Sequence, residues 1–101
     1  MLEKQIEKAV CDYAKSKGVL CYKFVSPGHA GVPDRMFILP GGKVFFIEFK
    51  RMGGKATPLQ LREIERLHSQ GVDVAIVDNV IEGQYHIDKM LLILIVWGGQ
   101  C

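Results

Sequence analysis

Three charged residues stand where an apolar surrounding makes charge costly. Glu48 and Lys50 end the run Lys43-Val44-Phe45-Phe46-Ile47-Glu48-Phe49-Lys50, whose β-branched and aromatic content reads as a strand. Alternation puts Val44, Phe46, Glu48 and Lys50 on one face, with the two charges about 7 Å apart. Such a pair is expensive unless it is solvated, partnered or bound to a metal. Asp34 opens the preceding strand, and its direction depends on the turn Pro40-Gly41-Gly42. A three-residue loop pairs position 39 with 43 and sets Asp34 opposite Glu48, both carboxylates on one face. A two-residue loop pairs Asp34 with Phe49 and turns it to the other face. Glycines that adopt positive φ suit the three-residue form, but the sequence permits either.

Two carboxylates, waters and a phosphate oxygen make the usual kind of magnesium site. A cation so held polarises a phosphoryl group and helps to ionise water. The Lys50 ammonium beside it can orient the attacking water or stabilise developing charge. Where neighbours depress its pKa, Lys50 is also a candidate base. Asp, Glu and Lys with no Cys and no obligatory His point to hard-metal phosphate chemistry.

The elements that must position these groups follow from periodicity. Leu2, Ile6, Ala9, Val10, Tyr13 and Ala14 predict an amphipathic helix over about Leu2 to Lys15, stopped at Gly18. Val19–Val25, Asp34–Leu39 and Lys43–Lys50 read as strands, with Ser26–Pro33 a loop. The hairpin strands are apolar on both faces, so a cover is expected on each side. Thr57-Pro58-Leu59-Gln60 opens a second helix with a capping box and proline at its first position, and Gly71 ends it. Val72–Val77 is a further strand. Tyr85–Ile87 reads as a short strand, and Asp88–Trp97 fits helix and strand alike. The order α-β-β-β-α-β predicts an α/β fold, a small mixed sheet flanked by helices.

The chain has 101 residues, 49% of them apolar and 24% charged, so a single domain over 1–101 is expected. A net charge of +2 and pI near 8.5 neither demand nor exclude a polyanionic partner, because a local patch matters more than the sum. Cys11, Cys21 and Cys101 form no C-x-x-C pair, which suggests neither a zinc site nor a disulfide framework and fits a reduced, cytoplasmic setting. The longest uncharged apolar run, Met90–Trp97, is eight residues, and a spanning helix needs about 20. No membrane and no small-molecule cofactor are expected.

Pro33-Asp34, thirteen intervening residues and Glu48-Phe49-Lys50 resemble the signature of the PD-(D/E)xK nuclease superfamily. The surroundings narrow the resemblance: Lys23-Phe24-Val25-Ser26-Pro27-Gly28, Gly31-Val32-Pro33-Asp34-Arg35, Phe46 to Lys50 and Pro58-Leu59-Gln60. Together these are similar to the stand-alone virus-type replication-repair nuclease (VRR-NUC) domains of phages and bacteria. The match spans about Glu3 to Asp78, leaving 79–101 as a C-terminal extension. The resemblance implies a restriction-endonuclease-like core in which Asp34 and Glu48, with the Phe49 backbone carbonyl, bind one or two magnesium or manganese ions. It makes Lys50 catalytic, gives Gln60 a place in the motif and asks for a glutamate on the first helix. Glu7, acting directly or through water, is preferred over Glu3 because it borders the apolar stripe; the two lie one turn apart on the same face.

Each residue has a plainer reading. Glu48 and Lys50 could be a weak surface ion pair, Asp34 a turn residue, and Gln60 only the end of its capping box. Glu3 and Glu7 could merely favour a helix N-terminus. His68 and His86 read as structural, and Trp97 as packing. Lys23, Ser26, His29, Arg35, Arg51, Lys55 and Arg62 surround the motif map and are candidate phosphate contacts, without a recognition helix to read bases. The expectation is therefore a structure-specific DNA endonuclease in phage or bacterial replication, recombination or repair, with four-way (Holliday) junction resolution first. A flap or nicking endonuclease and a non-catalytic branched-DNA-binding module are the alternatives. A homodimer is expected from the two-fold symmetry of a junction, with Met90–Trp97 at its interface or packed back on its own sheet.

Overall fold

The computed structural model describes residues 1–98, backbone alone for 97 and 98. The elements run α1 (Glu3–Ser16), β1 (Leu20–Lys23), β2 (Arg35–Ile38), β3 (Val44–Phe49), α2 (Pro58–Ser69), β4 (Asp73–Val77) and α3 (Val80–Gly98). The expected order therefore holds, and a third helix follows it. One mixed sheet has the order β1-β2-β3-β4, antiparallel except for the β3–β4 pair. A parallel pair needs a crossover element, and α2 is that element.

The hairpin register decides the site. Ile38 pairs with Val44 and Arg35 with Ile47. The Leu39 N–H donates to the Lys43 carbonyl at 2.8 Å, so the loop has three residues, and one step beyond Arg35 the same register sets Asp34 opposite Glu48. Gly41 and Gly42 have φ of +93° and +95°, the left-handed region that favours glycine.

The sheet is covered on both faces. Phe37, Phe45, Ile47 and Phe49 pack under α1 and α3 with Ile6, Val10, Ala14 and Ile87. The rings of Phe37 and Phe45 stack at 4.9 Å. Phe46 and Val74 meet Ile64 and Leu67 of α2 on the other face. Cys11 of α1 and Cys21 of β1, ten residues apart, are buried free thiols with Sγ atoms 2.8 Å apart.

Two expectations are corrected. β1 is shorter than Val19–Val25, because after Phe24, whose N–H donates to the Asp34 carbonyl at 2.8 Å, the chain leaves for the loop. Tyr85–Ile87 is not a strand; it belongs to α3. The signal for that helix is Asn79, whose Oδ1 accepts the Glu82 N–H at 2.9 Å, a cap with an acid at the third position. Burial of Ile87 and Met90 against the α1 side then overrides the β-branched bias of the segment. Among the described residues no helix is long and apolar enough to cross a membrane. The packing expected of Trp97 and anything involving Cys101 lie outside the described residues.

α3 meets α1 at a point where only a hydrogen fits. A Cβ on Gly83 would lie 2.4 Å from Cγ2 of Val10, and Val10 is fully buried and stiff at χ1. Gly→Ala inside a helix ordinarily stabilises by about 1 kcal/mol. Here the overpacking dominates, and Gly83→Ala should lower stability by about 1–3 kcal/mol in urea denaturation.

Candidate active site

Glu48 is 2% exposed, and its two oxygens differ. Oε2 accepts from Gln60 Nε2 at 3.0 Å and lies 3.5 Å from Lys50 Nζ. Oε1 is buried without a hydrogen-bonding partner, alone in this among the described side chains. A buried acceptor left unmade costs about 1–3 kcal/mol, more when charged. Asp34 is held next to it, its Oδ2 accepting the Phe49 N–H at 2.9 Å. An orphaned carboxylate oxygen beside a second carboxylate, close to the main chain of Phe49, suits a hard divalent cation. Among the described residues no three His, Cys, Asp or Glu side chains converge as a ready shell. Magnesium does not require one, since it is usually bound through one or two carboxylates and keeps several waters.

Gln60 plays both parts that the sequence left as alternatives. Its Oε1 accepts the Thr57 N–H at 2.9 Å, and its own N–H donates to Thr57 Oγ1 at 3.1 Å, closing the capping box. Its Nε2 remains free to hold Glu48.

The α1 glutamates lie at the edge of this site. Glu7 and Glu3 line one hollow with Lys23 and Asp34, and Glu3 lines another with Lys50, Arg51 and Lys55. Glu7 Oε2 is committed to Arg35 Nε at 2.6 Å. Arg35, expected as a phosphate contact, is thus 20% exposed and engaged in an ion pair. Glu7 in turn has one carboxylate oxygen already spent.

The remaining basic candidates divide in two. Lys23, Arg51 and Lys55 share hollows with the acidic residues. His29 and Arg62 lie elsewhere, lining a hollow with Glu63 and Arg66, while Ser26 receives the His29 N–H at its carbonyl. Glu63 and Arg66 were missed in the sequence. The available signal was spacing, since Glu63 follows Gln60 by three positions on one helix face. His68 Nε2 bonds the Val74 carbonyl at 3.0 Å, and His86 Nε2 bonds Asp73 Oδ2 at 2.7 Å; both tie elements together away from the site.

Burial, reinforced by the neighbouring Asp34, pushes the Glu48 carboxyl up to about 7. Burial raises Asp34 too, against the Phe49 N–H that favours its ionised form. A carboxyl raised on folding adds stability below its unfolded pKa and loses it as pH rises through the folded value. In EDTA, the melting temperature of the wild type should therefore fall relative to Glu48→Gln between about pH 4.5 and 7. Parallel melting curves across that window would refute the assignment.

No family model matches the chain. A curated relative, "Putative nuclease p44" of Acyrthosiphon pisum secondary endosymbiont phage 1, is 48% identical over 77 residues, which cover 76% of this chain and 83% of that protein. A solved structure described as a VRR_NUC domain aligns with TM-score 0.75 and 32% identity over 88% of this chain and 92% of its own. A second, described as a VRR_NUC domain protein, aligns with TM-score 0.71 at 19% identity over 87% and 86% of the two chains and shares the fold. The four-stranded mixed sheet with its three helices and the relatedness in sequence agree: the chain belongs to the VRR-NUC family of nuclease domains.

Proposed function

We propose that this protein is a magnesium- or manganese-dependent endonuclease that hydrolyses phosphodiester bonds in branched DNA, with four-way junction resolution as its main reaction. The observation that carries the reading is the unpartnered Oε1 of buried Glu48 beside Asp34. Asp34, Glu48 and the Phe49 carbonyl would hold the cation, with Glu7 or Glu3 adding a contact through water. A bound cation supplies charge for the phosphoryl oxygens and lowers the pKa of water. Lys50, 3.5 Å from Glu48, orients the attacking water and stabilises charge that develops on phosphorus oxygens. Gln60 fixes the rotamer of Glu48 from α2. Lys23, Arg51 and Lys55 attract the backbone and keep it over the carboxylates.

A small domain without a base-reading element favours shape over sequence as the basis of substrate choice. A flap or nicking endonuclease with the same site is the second reading, and a branched-DNA-binding module that never cuts is the rival of another class. Junction, flap, splayed, duplex and single-stranded DNA compared at equal concentration, in magnesium and in EDTA, separate them. Asp34→Ala, Glu48→Ala and Lys50→Ala should each lower cleavage at least a hundredfold, roughly 3 kcal/mol or more of transition-state stabilisation. Near-normal cutting by Glu48→Ala sinks the assignment. Lys50→Ala should still bind DNA in calcium.

Paired cuts on a two-fold junction suit a homodimer. Within Met90–Val96 the chain packs Met90, Leu91, Ile93 and Leu94 on its own core, leaving Leu92, Ile95 and Val96 at 60%, 75% and 50% exposure. That outward stripe continues through Tyr85 and Ile81, and an exposed apolar strip of this kind favours association. Sedimentation at micromolar concentration should give a dimer for the wild type and a monomer for Leu92→Glu/Ile95→Glu. A wild-type monomer that makes two symmetric cuts overturns the dimer.

A further inference from the structure

Glu63 is the second acid that α2 takes out of solvent, 9% exposed and one turn beyond Gln60. His29 Nε2 lies 2.8 Å from its Oε2, and Arg66 Nε lies 3.9 Å from the same oxygen. The His29 contact pins the loop between β1 and β2 across α2. Gly31 of that loop rests on the first turn of the helix with φ +94°, where a Cβ would lie 3.1 Å from the Leu59 carbonyl oxygen; that approach favours glycine. The loop is therefore a fixed wall, and it runs directly into Pro33-Asp34.

One carboxylate does not balance the cations gathered here. Arg62 and Arg66 stand four residues apart on the helix, a like-charge spacing that is unfavourable in itself. Arg62 makes no ion pair among the described residues. With His29 and Gly28 they line an open hollow of about 240 Å³. Two guanidinium groups and an imidazole around one carboxylate leave an excess of N–H donors in contact with solvent. The guanidinium fork matches phosphate oxygens. Gln60 touches Glu48 and Glu63 follows it three residues on, about 4.5 Å along the axis of α2, so one helix carries both the hollow and a contact to the proposed catalytic carboxylate.

From this we infer that the hollow formed by His29, Arg62 and Arg66 around Glu63 binds a non-scissile backbone phosphate of the DNA held at the site. The inference rests on the nuclease reading for its substrate class. Arg62 and Arg66 make the contact; Glu63 is a positioning residue that fixes His29 and the loop.

The test is the affinity of a fluorescein-labelled four-way DNA junction, measured in EDTA as a function of salt. Each phosphate contact contributes about 0.9 to the slope of log affinity against log salt. Arg62→Gln/Arg66→Gln should bind more weakly, with a slope shallower by about 0.9 for the one phosphate lost, and Arg62→Lys/Arg66→Lys should restore most of it. Should the double variant melt early, each single Gln variant should show part of that loss. An unchanged slope, or a wild type that binds no DNA, overturns the inference. The nuclease reading fails on a different measurement: a wild type that binds but cuts no DNA in magnesium or manganese, while the slope comparison still decides the hollow.

Discussion

A carboxylate that is 2% exposed in a sheet rich in phenylalanine must be neutral or surrounded by donors and cations. The elements around Glu48 are arranged as suppliers of such groups. α2 delivers an amide from Gln60, the residue after β3 delivers the Lys50 ammonium, and the residue before β2, Asp34, delivers a second carboxylate that makes the deficit worse. Adding Asp34 is unfavourable for the isolated chain and favourable only where positive charge arrives. The site is thus a local conflict held in place by cores on both sides of the sheet, which is where strain at functional sites is expected to be sustained.

α2 is central to that support. Its inward face presents Gln60, Glu63, Ile64 and Leu67 in succession, so one helix carries a site contact, a loop anchor and the apolar contacts to Phe46 and Val74. The Thr57–Gln60 capping box sets where this face begins. Local helix-end chemistry and the positioning of the buried acid therefore share one side chain, whose Oε1 closes the cap while its Nε2 holds Glu48.

Much of this was legible in sequence because it depends on local rules. Period-two alternation, the Thr57-Pro58 helix start and the turn glycines are near-neighbour effects, and they gave the elements and offered the register that forms. What escaped reading depends on tertiary contact. α3 hid behind the β-branched residues Ile93, Ile95 and Val96, although Asn79 and Glu82 carried a cap. The Glu7–Arg35 ion pair spans 28 positions and is invisible to any local rule. Glu63 is out of solvent only because the packing of α2 on the sheet fixes its face. The resemblance to VRR-NUC domains supplied the candidate site residues but said nothing of how the first-helix glutamates are engaged.

The turn at Pro40-Gly41-Gly42 lies five ladder steps from Asp34, roughly 17 Å away at strand spacing. It touches nothing in the site, yet it decides whether Asp34 and Glu48 share a face, because pairing parity propagates unchanged along a ladder. Extra residues that bulge outward at the tip leave the parity of the Leu39–Lys43 closing pair intact. Closure one residue further along a single strand, pairing Pro40 with Lys43, inverts it and sends one carboxylate through the sheet. The hairpin tip is a phase reference: under selection for activity its length can drift wherever the Leu39–Lys43 closing pair is kept, while the pairing it imposes on the two acids cannot drift at all.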